Sequence, residues 1–281
     1  MALDSRPIVV PLDGSGNAES AIGPALKLAR MWKAPVHLLH VVDPDTLRAA
    51  VNLDEATDAF KKYASGVVER EEGNDVQTTC IVVAGNAAEA ILDAADSAQM
   101  VVIASHGRSG IHASLIGSVA DKVVRGATVP TLVVPLGSVI GLGEGSVLIA
   151  LDGSPSAEDG LTVGREIAAA FGQKVALVRA YSIPPPVGIE FVAYPVDLTV
   201  SLREGTEEYL QSVAKAGEDL YAVMSPAVDA IQDASERARA GLVIMTTRGK
   251  GLARRIVLGS TTDRAMRVLK RPLLIIPVKG D

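Results

Sequence analysis

Cysteine is almost missing: one thiol, Cys80, stands in 281 residues. That excludes an internal disulfide and any paired-thiol zinc site. Cys80 lies in an apolar run and is expected as a buried thiol. Aromatic residues are only 3%, too few for a stacking platform for single-stranded nucleic acid. Positive charge does not dominate, with 27 Lys+Arg against 33 Asp+Glu and a net charge of -6. The electrostatic footprint of a DNA-binding domain is therefore absent, although local basic patches remain. No apolar run approaches the roughly 20 residues needed to span a bilayer. The opening "MALDSRPIVVPLDGS" has no charged stretch leading into an apolar one, so no signal peptide is expected and the chain reads as soluble and cytoplasmic.

Familiar catalytic patterns are missing too. No G-x-x-x-x-G-K-[ST] occurs, which leaves a P-loop ATPase unsupported. After the first strand pattern Gly14 and Gly16 form a G-x-G, but no third, helix-packing glycine follows as a Rossmann dehydrogenase requires. His37 and His40 are three apart on a strand and point to opposite faces, so they cannot chelate one metal. His106 and His112 sit in or near a glycine-rich loop, where a solvent-facing or phosphate-adjacent role fits better than zinc. Neither Ser15 nor Ser118 has a base and orienting group that the sequence identifies.

What is present is a repeat. "ASHGRSGIHASLIGSVADKVVRGATVP" (Ala104–Pro130) superimposes on "TTRGKGLARRIVLGSTTDRAMRVLKRP" (Thr246–Pro272) at an offset of 142 residues without a gap. "IVVPLDGSGNAES" (Ile8–Ser20) matches "VLIALDGSPSAED" (Val147–Asp159) at an offset of 139. A period this long marks a duplicated domain, not a solenoid. Each copy alternates short β-branched runs with helical patterns. The strands expected in the first are Ile8–Leu12, Val36–Val42, Val76–Val83, Met100–Ser105 and Thr131–Pro135. Helices are expected near Ala18–Trp32, Asp54–Glu72, Ala87–Ala98 and Ser118–Gly126. The second copy repeats the strands at Val147–Leu151, Val175–Tyr181, Leu220–Met224, Leu242–Thr247 and Leu273–Val278. Apolar strands separated by helices predict an α/β fold, a doubly wound parallel sheet in each of two tandem domains. Glycine-rich "GSVIGLGEGS" (Gly137–Ser146) is the natural link, giving domains 1–138 and 145–281 with 139–144 between them, where single substitutions are expected to be tolerated.

Doubly wound sheets bind ligands at the carboxyl ends of their strands. Both repeated signatures fall there: "LDGS" after the first strand and the glycine frame after the fourth. They share one crevice if those two strands are neighbours. Gly107 and Gly249 leave a strand and are free to take positive φ, turning amides towards an anion. Gly117 and Gly259 then open a helix, whose N-terminal amides and partial positive charge suit phosphate. Arg108, Lys250, Arg254 and Arg255 add cations nearby. A plainer reading is that Ser118–Asp121 and Ser260–Asp263 are capping boxes. Asp13 and Asp152, followed by Gly14, Ser15 and Gly153, Ser154, fit solvated turns, or carboxylates that hold a ribose, a base or a metal.

Together these motifs resemble the universal stress protein family in a tandem form, and the resemblance covers essentially the whole chain. The family's ATP-binding pattern is a glycine, two residues, a glycine, nine residues, then glycine with serine or threonine. This chain carries Gly107, Gly117, Ser118 and again Gly249, Gly259, Ser260. It departs at the first glycine, replaced by Ala104 and Thr246. The resemblance implies a Rossmann-like, adenine nucleotide alpha hydrolase-like fold with pseudo-twofold symmetry. It also implies ATP as cofactor, with Mg2+ as its companion ion. The implied binding residues in the first copy are Pro11, Asp13, Gly14, Ser15, Val41, Ala104, His106, Gly107, Arg108, Gly117, Ser118 and Val119. In the second they are Ala150, Asp152, Gly153, Ser154, Ala180, Thr246, Arg248, Gly249, Lys250, Gly259, Ser260 and Thr261. "GNAAEAI" (Gly85–Ile91) fits a family loop, whereas "MSPAVDAI" (Met224–Ile231) lacks its glycine. No catalytic set is implied, so the expected function is a nucleotide-binding stress regulator with little or no hydrolysis. A nucleotide-free scaffold acting through protein partners and a slow ATP hydrolase are the alternatives. Family members pair through their last strands, so "VPTLVVP" (Val129–Pro135) and "RPLLIIP" (Arg271–Pro277) are expected to meet within one chain as a pseudo-dimer, with further homodimerisation left open. "SIPPPVGIEFVAYPVDLTV" (Ser182–Val200) reads as a proline-stiffened loop beside the second crevice.

Overall fold

A computed structural model describes residues 4–44, 52–107, 116–138, 140–183, 196–247 and 258–278. The first half runs β1 (Ile8–Pro11), α1 (Gly16–Glu19), α2 (Ile22–Trp32), β2 (Val36–Val42), α3 (Leu53–Arg70), β3 (Thr78–Ala84), α4 (Ala87–Asp96), β4 (Met100–Ala104), α5 (Ser118–Gly126) and β5 (Thr131–Val134). The second runs β6 (Ser146–Ala150), α6 (Pro155–Ala170), β7 (Lys174–Tyr181), α7 (Val196–Val213), β8 (Asp219–Met224), α8 (Ala227–Arg237), β9 (Ala240–Thr246), α9 (Ser260–Val268) and β10 (Leu273–Ile276). One ten-stranded sheet carries them in the order β3-β2-β1-β4-β5-β10-β9-β6-β7-β8. Every pairing within a half is parallel, as the continuous apolar strands predict. The central pair alone is antiparallel, with Leu273 opposite Val133 and Ile275 opposite Thr131. The last strands do meet, and the mirrored order on either side makes the chain an intramolecular pseudo-dimer.

Helices cover both faces. One apolar layer packs α2, α3 and α6 against alternate strand residues such as Ile8, Val10 and Ile149. The other packs α4, α5, α8 and α9 against Val9, Val101, Val133 and Ile275. Helices also meet across the seam. Trp32 Nε1 of α2 donates to Glu166 of α6 at 2.9 Å. On the opposite face, Arg125 of α5 pairs with Asp121 at 2.9 Å and with Asp263 of α9. Arg267 in turn reaches Asp263 at 3.2 Å and Asp121 at 3.7 Å.

One expected helix is two. The stretch Ala18–Trp32 breaks at Ser20–Ala21. Pro24 is the cause: it has no N–H to give the carbonyl of Ser20, and its ring crowds that carbonyl. The second half has Val163 at the corresponding place and α6 runs unbroken, with Pro155 harmless in its first turn. The link also behaves differently from a free linker. Leu142 is 1% exposed within the core, and Lys27 Nζ donates to its carbonyl at 2.8 Å. The tolerance expected of 139–144 does not extend to that residue. Most of Ser182–Val200 lies outside the described residues.

Candidate functional site

The strand order makes β1 and β4 neighbours, and β6 and β9 likewise, so the two signatures do share a crevice end in each half. In the first half they enclose a crevice of about 230 Å³. Nine of the residues expected there line it: Pro11, Asp13, Val41, Ala104, His106, Gly107, Gly117, Ser118 and Val119.

Pro11 shapes the opening. Leu12 N–H donates to Leu39 of β2 at 2.8 Å, so even-numbered residues of β1 face β2 and odd-numbered ones face β4. Proline at 11 therefore has no donor to offer β4, and the β1–β4 ladder stops at Val9↔Val101. Beyond it no hydrogen bond ties the two strands together. Leu39 likewise turns its carbonyl to β1, so the peptide of Val41, two residues on, borders the crevice just past the last rung.

The DGS loop is built by its own side chains. Asp13 accepts from Ser15 N–H at 2.9 Å and Ser15 Oγ at 2.5 Å, while Ser15 caps α1 by accepting from Ala18 N–H at 3.2 Å. Gly14 takes φ 83, the left-handed conformation in which glycine is unstrained. Asp152, Gly153 and Ser154 repeat all of this, with the same 2.9 and 2.5 Å contacts and φ 83. Gly14 and Ser15 thus set the loop without lining the crevice. One carboxylate oxygen of Asp13, Oδ1, is thus held inside the turn by Ser15. The other, Asp13 Oδ2, lies against Gly107, where a side chain would collide with it.

That contact corrects the role given to Gly107. Its φ is not positive; the absence of a side chain there leaves room for the Asp13 carboxylate, which a Cβ would push aside. The capping-box reading fails as well. Gly117 and Gly259 are the N-caps, in extended conformation and without a side-chain cap bond, and Ser118 and Ser260 are the first helical residues. Asp121 and Asp263 turn instead to the arginines at the seam. Gly117 N–H is already committed to the Ser105 carbonyl at 2.7 Å. What α5 offers is the N–H groups of Ser118, Val119 and Ala120, which have no partner inside the helix, and all three residues line the crevice.

His106 is 8% exposed, which rules out the solvent-facing role. Its Nδ1 lies 2.9 Å from Ser105 Oγ and its Nε2 is buried without a hydrogen-bond partner. Burial lowers its pKa below the ordinary histidine value and favours the neutral ring. His40 turns to the other face, with Nδ1 2.7 Å from the Leu12 carbonyl and its ring stacked on Phe60. Apart from Ser105 the rest of the lining is apolar: Leu39, Ile91 and Ile103 form the wall, with Leu12, Ala18, Ala87 and Ala120. Sequence reasoning missed these residues because a buried leucine at a strand end looks like core. Only the packed structure brings Leu39, level with Pro11 in the sheet, together with Ile91 of α4 and Ile103 of β4.

In the second half Ala150, Asp152, Ala180, Thr246, Gly259, Ser260 and Thr261 occupy the equivalent places on β6, β7, β9 and α9. Arg108, His112, Arg248, Gly249, Lys250, Arg254 and Arg255 lie outside the described residues. No group of three or more His, Cys, Asp or Glu side chains suited to a metal occurs among the described residues. No helix among them is long and apolar enough to cross a membrane.

Fold and site together define a tandem pair of doubly wound domains with helix N-termini at the crevice ends of their sheets. The family model described as "Universal stress protein family" matches residues 5–135 and again 145–277. The chain belongs to that family, in its two-domain form. A universal stress protein of Mycobacterium tuberculosis is 25% identical over 294 residues, covering 95% of this chain and 96% of the relative. One of Mycolicibacterium smegmatis is 25% identical over 301 residues, covering 96% of each. In structure the chain is similar to a universal stress protein of Archaeoglobus fulgidus, with TM-score 0.70 at 20% identity, covering 98% of this chain and 99% of that one. That last likeness speaks for the fold alone.

Proposed function

We propose that the chain binds an adenine nucleotide, ATP with its Mg2+, and acts as a cytoplasmic stress-response regulator with little or no hydrolysis. One observation carries the reading: the first three residues of α5, whose N–H groups have no partner inside the helix, line the same crevice as an apolar wall and a carboxylate. Helix N-terminal amides suit phosphate. The wall of Leu39, Val41, Ile91 and Ile103 suits a purine face, and the Asp13 carboxylate accepts from a ribose hydroxyl or the base. Gly107 lets that carboxylate approach the loop that leads to α5. The two units are residues 1–138 and 145–281, with 139–144 between them.

Slow or absent turnover follows from the polar groups present. Among the described residues Ser105 and His106 form the nearest pair to a nucleophile and base, and none of them orients the far nitrogen of the imidazole. Turnover is expected well below the ~1–10³ per second of ordinary enzymes. The nucleotide state would then act by biasing which conformation or protein partner is favoured.

The test is to denature freshly purified protein, identify any released small molecule by chromatography and mass, and titrate the emptied protein with Mg-ATP by calorimetry. Released or rebinding ATP supports the reading. No nucleotide on release and no binding at millimolar Mg-ATP turns it to a nucleotide-free scaffold. Steady-state cleavage at several per second turns it to an ATP hydrolase.

A further inference from the structure

The two crevice ends share a frame but not their filling. We infer that only the first half receives a nucleotide, so that the chain binds one per molecule, while the second crevice is closed by its own side chains. This rests on the nucleotide reading of the first crevice.

Three differences point the same way. The first is the ladder between the first and fourth strands. Pro11 ends it at Val9↔Val101, but Ala150 has an N–H to give, and the equivalent ladder of β6 and β9 runs one pair further, to Ile149↔Ile244. The hydrogen-bonded pairing that ends at Pro11 in the first half continues one pair further in the second. The second difference is bulk. Ala104 and Ala120 both line the first crevice, and their counterparts are Thr246 and Thr262. These threonines are 8% and 3% exposed, and Thr262 Oγ1 donates to the Thr246 carbonyl at 3.1 Å. The same hydroxyl lies 3.9 Å from where a Cβ on Gly259 would stand, at the N-terminus of α9. A ligand entering there would have to displace a buried hydroxyl and leave a carbonyl unpaired, a cost the alanines of the first half do not impose.

The third difference lies behind the DGS loop. Arg179, in place of His40, packs its guanidinium 2.8 Å from the position of a Cβ on Gly153 and 4.5 Å over the Tyr209 ring. The second loop is thus braced by a cation of the chain itself. The duplicated half keeps what pairing needs, β10 and α9 at the seam, and loses the room for a ligand.

The deciding experiment counts Mg-ATP per full-length chain by native mass spectrometry and calorimetry, in wild type, Asp13→Asn and the double variant Ala104→Thr/Ala120→Thr. The double variant gives the first crevice the second one's side chains. Expected are one nucleotide in wild type and at least a hundredfold loss of affinity in both variants. Asp13→Asn is the gentler change and stands if the double variant unfolds. Two nucleotides in wild type overturn the inference while upholding nucleotide binding. So does one nucleotide still held by Asp13→Asn with wild-type affinity, since the second half would then be the receptor. No nucleotide in wild type overturns the nucleotide reading itself.

Discussion

The two halves solve the same packing problem with different residues, and α2 and α6 show it most clearly. At one position of this helix the first half has Leu26, fully buried beside Gly73, where a Cβ would strike the Leu26 methyls. The second half has Arg165, whose guanidinium forks onto Glu218 at 2.7 and 2.8 Å and also donates to the Val213 carbonyl. Glu218 is only 7% exposed. Burial alone would raise its carboxyl pKa, but the Arg165 guanidinium and the Lys215 N–H outweigh this and hold it below the ordinary value. One half closes this corner by apolar contact and the other by a satisfied ion pair. The fold tolerates either because only volume and polar satisfaction matter there. Crevice positions are less forgiving, since methyls and hydroxyls at the same backbone sites decide whether a ligand has room.

The comparison can be broken first at the seam the halves share. Val133 and Ile275 are 2% and 1% exposed on opposite strands of the antiparallel pair. Val133→Glu or Ile275→Glu buries an unpaired charge and should cost on the order of 4 kcal/mol or more. Thermal unfolding and size-exclusion chromatography should show a much lower midpoint and aggregation; an unchanged midpoint and elution would count against this seam. Glu218→Ala comes next, at about 3 kcal/mol, because it strands a mostly buried guanidinium. Urea unfolding measures it, and Leu26→Ala in the first half should cost a similar amount by leaving a cavity.

Pro11→Ala sharpens the difference between the crevices. It supplies the missing ladder donor, worth about 1 kcal/mol of stability, and should weaken Mg-ATP binding by drawing β1 onto β4. A variant that is no more stable and binds as well as wild type would detach the opening from the proline.

The smallest effect belongs to the charges shared by α5 and α9. All four side chains are 26–39% exposed, so Arg125→Ala should cost roughly 0.5 kcal/mol and less at high salt. Arg267 beside Asp263, with Arg125 behind it, holds the Asp263 carboxyl below its ordinary 3.8. A carboxyl depressed on folding stabilises above its unfolded pKa, and that contribution is lost as pH falls through the folded value. The stabilities of wild type and Asp263→Asn, measured by urea unfolding at a series of pH values, should therefore converge below about pH 4. Curves that stay parallel would show that the carboxylate has no such role.

The strand order brought the two signatures together, but the sequence by itself determined the duplication, the parallel doubly wound class and the placing of those signatures at strand ends. These follow from patterns that are local in the chain: β-branched runs, turn glycines and the spacing of repeated motifs. It also carried Pro24 and Pro11, but what each does depends on neighbours. Pro24 breaks a helix because Ser20 sits one turn before it, and Pro11 opens a crevice because its face turns to β4. The tertiary structure alone decided that Gly107 makes room for Asp13, that Asp121 and Asp263 serve the seam instead of capping, and that Leu39 and Ile103 are wall as well as core. It also set Thr262 against Thr246. The reason is physical: a close approach, an ion pair or a filled cavity is a relation between residues distant in sequence, and only the packed chain brings them within reach.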